Sequence, residues 1–422
     1  MWSPGGFAQE ARSFLFNIPE STDWRIIDTI ADVLRPDKSD MDSWVYYEYY
    51  NEENSVVSRG YANTSLSAKD LQFLSDKCYP MPFPVDHRWL AGDYPGAPTI
   101  VIHSSAIDMT GDPNATDRAG FLRYKNLLKK FDYYVGRTVC ESSRVHHKFA
   151  ENCNEMDEIH TQSTFCKNSL EESGVTVPVY SLPNGVDTSI YYPEADSSFT
   201  FGKDIDPLFK FFGLIDCHRQ NTYRKGLDVL LYAYLNEFNR SDDTILILKT
   251  NLEQQAFNSL YDSIAKTLGK SEKDCPAVYI MPSQFLSYDD MRSLYNSIQC
   301  YVTPTRGEGF GIPFAEALAC GVPVIATEYG GHMDFLDHEN SYLVGIDGWT
   351  IADERHFEDL YHFHGLEWPE PSIEDTAQMM RLVYDDYQFA KQKAAIGCDD
   401  IRKYHNAELA THSFLTQMET IN

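Results

Sequence analysis

From residue 208 onward, short runs of β-branched and aromatic residues recur at intervals that leave room for one helix between each pair: LFKFFG at 208–213, TILILK at 244–249, AVYIM at 277–281, CYVT at 300–303 and GVPVIAT at 321–327. Runs this short and this apolar suit strands buried on both faces, the condition of a parallel sheet. Parallel neighbours cannot be joined by a tight turn, so each pair needs a crossover. The segments between them supply one, as in KGLDVLLYAY at 225–234, which reads as a helix. The rhythm predicts an α/β protein. An earlier block of the same kind has a strand at 98–103, a helix at 121–131 and a strand at 178–182 that ends in the turn signal PNGVD. A chain of 422 residues exceeds one ordinary core. We therefore divide it at that turn into residues 1–185 and 186–422, with a ligand cleft expected between the two domains. From about residue 373 the chain reads as mostly helical.

Charge and cysteine usage narrow the partners. A formal net charge of −28 repels nucleic-acid phosphates and anionic lipid, so general nucleic-acid binding is excluded. Arg123, Lys125, Lys129 and Lys130 form a local basic cluster with Leu127, Leu128 and Phe131. It reads as a solvated helix face, with a peripheral membrane or acceptor surface as the alternative. Nine cysteines without a Cys-x-x-Cys pair support neither a zinc site nor a disulfide framework. The amino terminus lacks a basic segment followed by an apolar run, and no stretch of eighteen apolar residues occurs. A reducing, cytoplasmic compartment and no transmembrane segment are the expectation. The sequons at Asn63, Asn114 and Asn239 then carry no meaning.

The chemistry concentrates in TRGEGFGIPFAEALACG, residues 305–321. Gly307, Gly309 and Gly311 permit a backbone that passes close to a ligand, Pro313 suits the first turn of a helix, and Gly321 ends it. Glu308 falls in the loop after a strand, where open α/β sheets bind ligands, and Glu316 falls within the helix. Two such carboxylates can accept hydrogen bonds from sugar hydroxyls while the helix start offers amides to an anion; a helix cap with a surface glutamate is the plainer alternative. Arg224 and Lys225, between a strand and a helix, can hold a diphosphate or be merely solvated, and Arg219 is a possible third cation. The triplets Asp40-Met41-Asp42 and Asp204-Ile205-Asp206 are expected by chance among 63 acidic residues, so no metal is assigned. His146-His147 and His356, His362 and His364 lack ligand spacing and read as surface positions. The glycine series is not a dinucleotide fingerprint, which argues against an oxidoreductase.

GEGFGIPFAEALACGVPVIAT resembles the E-x7-E signature of family 4 glycosyltransferases, retaining enzymes of the GT-B fold. YRKGLDVLLYAY resembles the family's phosphate-binding loop and helix, LPNGVD its interdomain junction, Gly330-Gly331 the loop beyond the signature, GGFAQEAR its amino-terminal glycine-rich loop, and TIVIHSS a strand ending in an active-site histidine. The resemblance implies an α/β GT-B protein whose two Rossmann-like domains face each other across a cleft, with parallel sheets and a C-terminal helix that crosses back to the first domain. Residues 1–185 would be the acceptor side and 186–422 the nucleotide-sugar side. It further implies a retaining, metal-independent glycosyltransferase that moves a sugar from a nucleoside-diphosphate sugar, its donor substrate, to a hydroxyl acceptor on a glycan, lipid or small molecule. No separate cofactor is implied. Glu308 would contact the donor sugar, Glu316 the ribose, and Arg224 and Lys225 the diphosphate, while His103 would face the reacting centre. Gly5 and Gly6 would approach the donor phosphates or acceptor, and the amides of Gly309, Phe310, Gly311 and Gly330 to His332 would line the sugar pocket. Two departures stand out. Gly213 is followed by Leu214 where the family commonly has arginine, and only Met1 to Pro4 precede Gly5, where the family has a full strand. A catalytically silent GT-B binding or assembly subunit is therefore the alternative.

Overall fold

The computed structural model describes residues 133–215, 222–281, 286–357 and 363–421. It also describes the backbone of five earlier strands: β1 (Ile26–Asp28), β2 (Trp44–Tyr50), β3 (Val56–Asn63), β4 (Cys78–Pro80) and β5 (Thr99–His103). The expected glycine loop at Gly5-Gly6, the helix at 121–131 and Arg219 lie outside the described residues.

Two parallel sheets dominate. The smaller has the order β5-β6-β7-β8, with β6 at Tyr133–Arg137, β7 at Glu158–Thr161 and β8 at Val179–Ser181. Helices α1 (His147–Cys153) and α2 (Thr164–Glu172) connect its later strands, and Phe149, Cys166 and Leu170 of those helices pack on Ile159 and Val179. His103 ends β5 in register with Arg137 of β6.

The larger sheet contains β9 (Phe209–Ile215), β10 (Thr244–Thr250), β11 (Ala277–Met281), β12 (Cys300–Thr303), β13 (Val324–Thr327) and β14 (Tyr342–Val344). All pairings are parallel and the order is β11-β10-β9-β12-β13-β14. Helices α3 (Leu227–Glu237), α4 (Gln254–Thr267), α5 (Tyr288–Ser297) and α6 (Ile312–Ala319) follow successive strands. Alternate strand residues feed two cores. Phe212, Ile247, Tyr301 and Val324 meet Phe314 and Leu318 on one face; Phe211, Leu246, Val302 and Ile325 meet Leu227, Leu231 and Tyr234 on the other. Each such side chain, fully buried, stabilises the fold by about 1.5–3 kcal/mol before entropy is counted, and together they fix the sheet that carries the loops described below.

The strand order reverses direction between β9 and β12, and at such a switch point the loops leaving the two strands diverge and open a crevice at the carboxyl edge. The C-terminal helices α7 (Ile373–Asp385) and α8 (Tyr387–Tyr404) pack on this domain, where Gly397 of α8 lets Leu318 of α6 approach. Helix α9 (Ala407–Glu419) then returns to the smaller sheet. Phe414 stands edge-on to His160 at 5.8 Å and under the Arg137 guanidinium at 5.9 Å. The chain thus crosses between domains twice, and the crossings touch: Val186 pairs with Asn406, and a Cβ on Gly185 would lie 2.4 Å from the Ala407 Cα.

An antiparallel pair, β15 (Ile346–Ile351) with β16 (Glu367–Pro371), stands apart from both sheets and was not foreseen from the sequence. Among the described residues seven cysteines are free and buried, no group of three His, Cys, Asp or Glu side chains could hold a metal, and no helix is long and apolar enough to cross a membrane.

Candidate active site

The loops that leave β9 and β12 meet at the switch point, and a left-handed turn sets their contact. Gly226 has φ +68°, and a Cβ there would fall 1.9 Å from the Pro304 carbonyl oxygen, so only glycine fits. Helix α3 consequently begins at Leu227, and Arg224 and Lys225 lie in the loop before it rather than inside a helix starting at 225. The Arg306 amide and the Thr305 hydroxyl both donate to the Arg224 carbonyl, at 2.6 and 3.0 Å. The cationic loop and the glutamate loop are thereby locked together.

Glu308 is buried there between two cations. Lys225 Nζ donates to its Oε1 at 2.5 Å, Arg224 Nη1 stands 3.7 Å from its Oε2, and Arg224 Nη1 also donates to the Gly307 carbonyl at 2.8 Å. Burial pushes the Glu308 carboxyl up, but the charges of Lys225 and Arg224 outweigh it and hold the group below its ordinary value, ionised. His332 stands behind, its ring 4.9 Å from that of Phe314 and its Nε2 donating to the Thr327 carbonyl at 2.7 Å. Burial lowers its pKa, so the ring is neutral and Nδ1, an acceptor, has no protein donor among the described residues.

The glycines of this loop serve contacts that the sequence did not reveal. A Cβ on Gly307 would fall 2.1 Å from the Glu141 carbonyl, and one on Gly309 would fall 1.9 Å from Val139 Cγ2. Both face the segment after β6, so they allow the first domain to approach rather than a ligand alone. Gly311, at φ +85°, caps α6. Ser163 donates to the Gly309 carbonyl at 2.6 Å, and the Thr164 amide donates to Asp334 at 2.8 Å. Nor is every amide expected in the sugar pocket open, because Gly331 already donates to the Glu308 carbonyl at 2.7 Å. Phe310 turns its ring into the core against Phe335, 5.0 Å between centroids.

Glu316 sits in a different environment from Glu308. It is only 4 % exposed, with Tyr295 donating to its Oε2 at 3.1 Å and no cation among the groups that perturb it. Burial pushes its carboxyl up to about 7, while the hydroxyls of Tyr191 and Tyr295 pull the other way. The two glutamates of one signature are thus one firmly ionised and one poised near neutrality.

Arg306 is the residue the sequence reading missed. It is 3 % exposed, grips Asp228 with two 2.9 Å bonds, reaches Glu370 at 2.7 Å, and lies 4.0 Å over the Tyr223 ring. Tyr223 in turn donates to Glu370 at 2.6 Å, and Trp368 packs beside Gly307. The β15–β16 pair is therefore a buttress under the glutamate loop. His356, expected at the surface, belongs to it, its ring tilted against that of Tyr223 with centroids 4.5 Å apart. Asp206 accepts from the Phe201 amide at 2.8 Å and orders a turn. His103 is described at backbone level as the carboxyl end of β5, and Gly5 and Gly6 lie outside the described residues.

Residues 215–359 match the model of the family described as Glycosyl transferases group 1. The curated relatives include a probable sucrose-phosphate synthase of Thermosipho melanesiensis, 23 % identical over 38 % of this chain and 34 % of its own length. They also include an uncharacterized glycosyltransferase of Methanocaldococcus jannaschii, 28 % identical over 48 % of this chain and 47 % of its own, and the lipopolysaccharide core mannosyltransferase LpsB of Rhizobium meliloti, 27 % identical over 42 % and 51 %. The chain thus matches between about a third and a half of the length of these relatives. Among solved structures, sucrose-phosphate synthase of Thermosynechococcus elongatus superimposes with a TM-score of 0.57 at 14 % identity, over 89 % of this chain and 85 % of that one. Anabaena HepE in complex with UDP and glucose gives 0.54 at 14 %, over 76 % and 77 %. The fold is that of the GT-B glycosyltransferases. Residues 215–359, about a third of the chain, are similar to the glycosyl transferases group 1 family.

Proposed function

We propose that the chain is a retaining, metal-independent glycosyltransferase that moves a sugar from a nucleoside-diphosphate sugar to a hydroxyl acceptor. The observation that carries this reading is the meeting of Lys225, Arg224 and an ionised Glu308 at the switch point of a parallel sheet. Two cations at that edge suit a diphosphate and the charge that grows on it as the sugar bond breaks. Lys225 is held by Glu308, so a diphosphate entering the site exchanges one oxygen partner for another and meets a cation already in position. Glu308, freed from Lys225 but still ionised by Arg224, accepts hydrogen bonds from sugar hydroxyls.

Glu316, in this reading, receives the ribose. His103, which ends β5, is assigned to the reacting centre, and Gly5 and Gly6, outside the described residues, to donor or acceptor contact. The close packing of residues 139–141 on Gly307 and Gly309 supports a site closed between two domains that excludes water from the transfer. HepE, solved with UDP-glucose, makes uridine nucleotides the first donors to test.

The test is thermal shift and calorimetry with UDP-, GDP- and ADP-sugars, followed by product detection with hydroxyl acceptors. Stabilisation by one donor together with acceptor-dependent release of the nucleoside diphosphate supports the enzyme. Binding without transfer supports instead a silent GT-B binding subunit, and no binding of any donor overturns the reading.

A further inference from the structure

The surroundings of Glu316 point to residues that neither the signature nor the comparisons assign. Tyr191 lies in the linker between the two sheets, five residues past Val186, and its amide closes a turn onto the Asp187 carbonyl at 2.9 Å. Its side chain runs into the core of the larger domain, 4 % exposed, with its ring 6.1 Å from that of Tyr295. The buried Tyr191 hydroxyl has no hydrogen-bond partner among the described residues, and burial together with the nearby Glu316 charge pushes its pKa up. A buried hydroxyl left in that state costs about 1–3 kcal/mol, which calls for a reason. Tyr295 reaches the same carboxyl from α5 at 3.1 Å, using one of its two oxygens.

We propose that Tyr295, with Tyr191 beside it, positions Glu316 for donor recognition: the Tyr295 hydroxyl holds the Glu316 carboxylate in the place that accepts the ribose hydroxyls of the nucleotide, and the buried Tyr191 hydroxyl favours its ionised form. The inference rests on the donor-site reading above, in which Glu316 meets the ribose.

A carboxylate accepts two hydroxyl protons, whereas the neutral acid accepts fewer and competes as a donor. The groups that face Glu316 are Tyr191 from the linker, Tyr295 from α5, Tyr301 from β12 and Cys320 at the end of its own helix, none of them cationic. With burial pushing Glu316 up to about 7, the two hydroxyls are what favour its ionised form. Removing either one raises the pH at which the carboxylate becomes available.

Uridine, guanosine and adenosine diphosphates, each with ribose and with 2′,3′-dideoxyribose, are titrated calorimetrically into the full chain between pH 6 and 9. Tyr191→Phe and Tyr295→Phe keep their rings in the core. Each is expected to weaken the bound ribonucleotide about threefold to tenfold at pH 7, to leave the dideoxy form unchanged, and to regain wild-type affinity at pH 9. Equal weakening of both sugars, or an unmoved pH midpoint, overturns the inference. Glu316→Gln separates the two levels. If it discriminates ribose from dideoxyribose but the tyrosine variants do not, the positioning role alone fails. If it weakens both sugars equally, or if no nucleotide binds the wild type, the donor-site reading fails and this inference with it.

Discussion

Lys225 and Glu308, 83 residues apart in the chain, are in contact at 2.5 Å because two loops leave adjacent parallel strands and meet where the strand order reverses. Burial alone would favour a neutral Glu308; the pair with Lys225 is one of the charges that keeps it ionised. Replacing Lys225 by Met is expected to lower kcat by about 10²-fold or more, since in the proposed function the lost charge acts mainly on the leaving diphosphate. The same variant raises the pKa of Glu308, so the acid limb of the kcat/KM profile moves to higher pH. Initial rates across pH check both effects, and Lys225→Arg retains part of the activity.

Arg306 is expected to be a stability residue. Arg306→Met leaves Asp228, Glu370 and the Tyr223 hydroxyl around a missing cation. Asp228 and Glu370 are partly exposed, so losing the buried cation between them costs about 1–3 kcal/mol. Urea denaturation measures it, with nucleotide affinity falling in parallel because the glutamate loop loses its buttress.

Gly307 and Gly348 separate two kinds of glycine. A Cβ at Gly307 would collide with the Glu141 carbonyl at 2.1 Å and with Trp368 at 2.6 Å, whereas nothing lies within 4 Å of one at Gly348. Gly307→Ala is expected to cost about 1–3 kcal/mol, and Gly348→Ala to stay within about 0.5 kcal/mol. Parallel melting curves decide it.

The sequence made the larger sheet legible because its strands are buried on both faces and read as unbroken apolar runs. It made Glu308, Arg224 and Lys225 legible because their loops carry glycine and charge at the ends of those runs. Strand β7 was harder, since Glu158 and His160 are polar yet buried, paired at 2.5 Å beneath α9. Strand β16 was hidden by Pro369 and Pro371, which argue against a central strand and are tolerated in a two-stranded ribbon. Arg306 stood in plain view beside Glu308, but its partners Asp228 and Glu370 come from distant segments that no local pattern links. The glycines were read as room for a ligand, and two of them are room for the first domain.

Glu316 and His160 give opposing pH dependences of stability. Glu316 moves from 4.5 to about 7 on folding, so the folded state binds the extra proton between those values and stability falls as pH rises through them. The size is roughly 3 kcal/mol. His160 moves from 6.5 to about 4, so the unfolded state binds the proton there and stability rises over that window. The difference between Glu316→Gln and wild type isolates the first effect. The variant is expected to gain about 3 kcal/mol relative to wild type between pH 4.5 and 7, read from urea midpoints at fixed pH steps.

The central claim is that Glu308 belongs to a site that transfers sugar from a nucleoside diphosphate. Its most direct test is the rate of nucleoside-diphosphate release by wild type and Glu308→Gln, with each donor that stabilises the fold, in the presence and absence of a hydroxyl acceptor. The expected result is acceptor-dependent release by the wild type that falls about 10²-fold or more in the variant, both proteins being assayed well below their melting temperatures. Release at the wild-type rate by the Glu308→Gln protein would contradict the account.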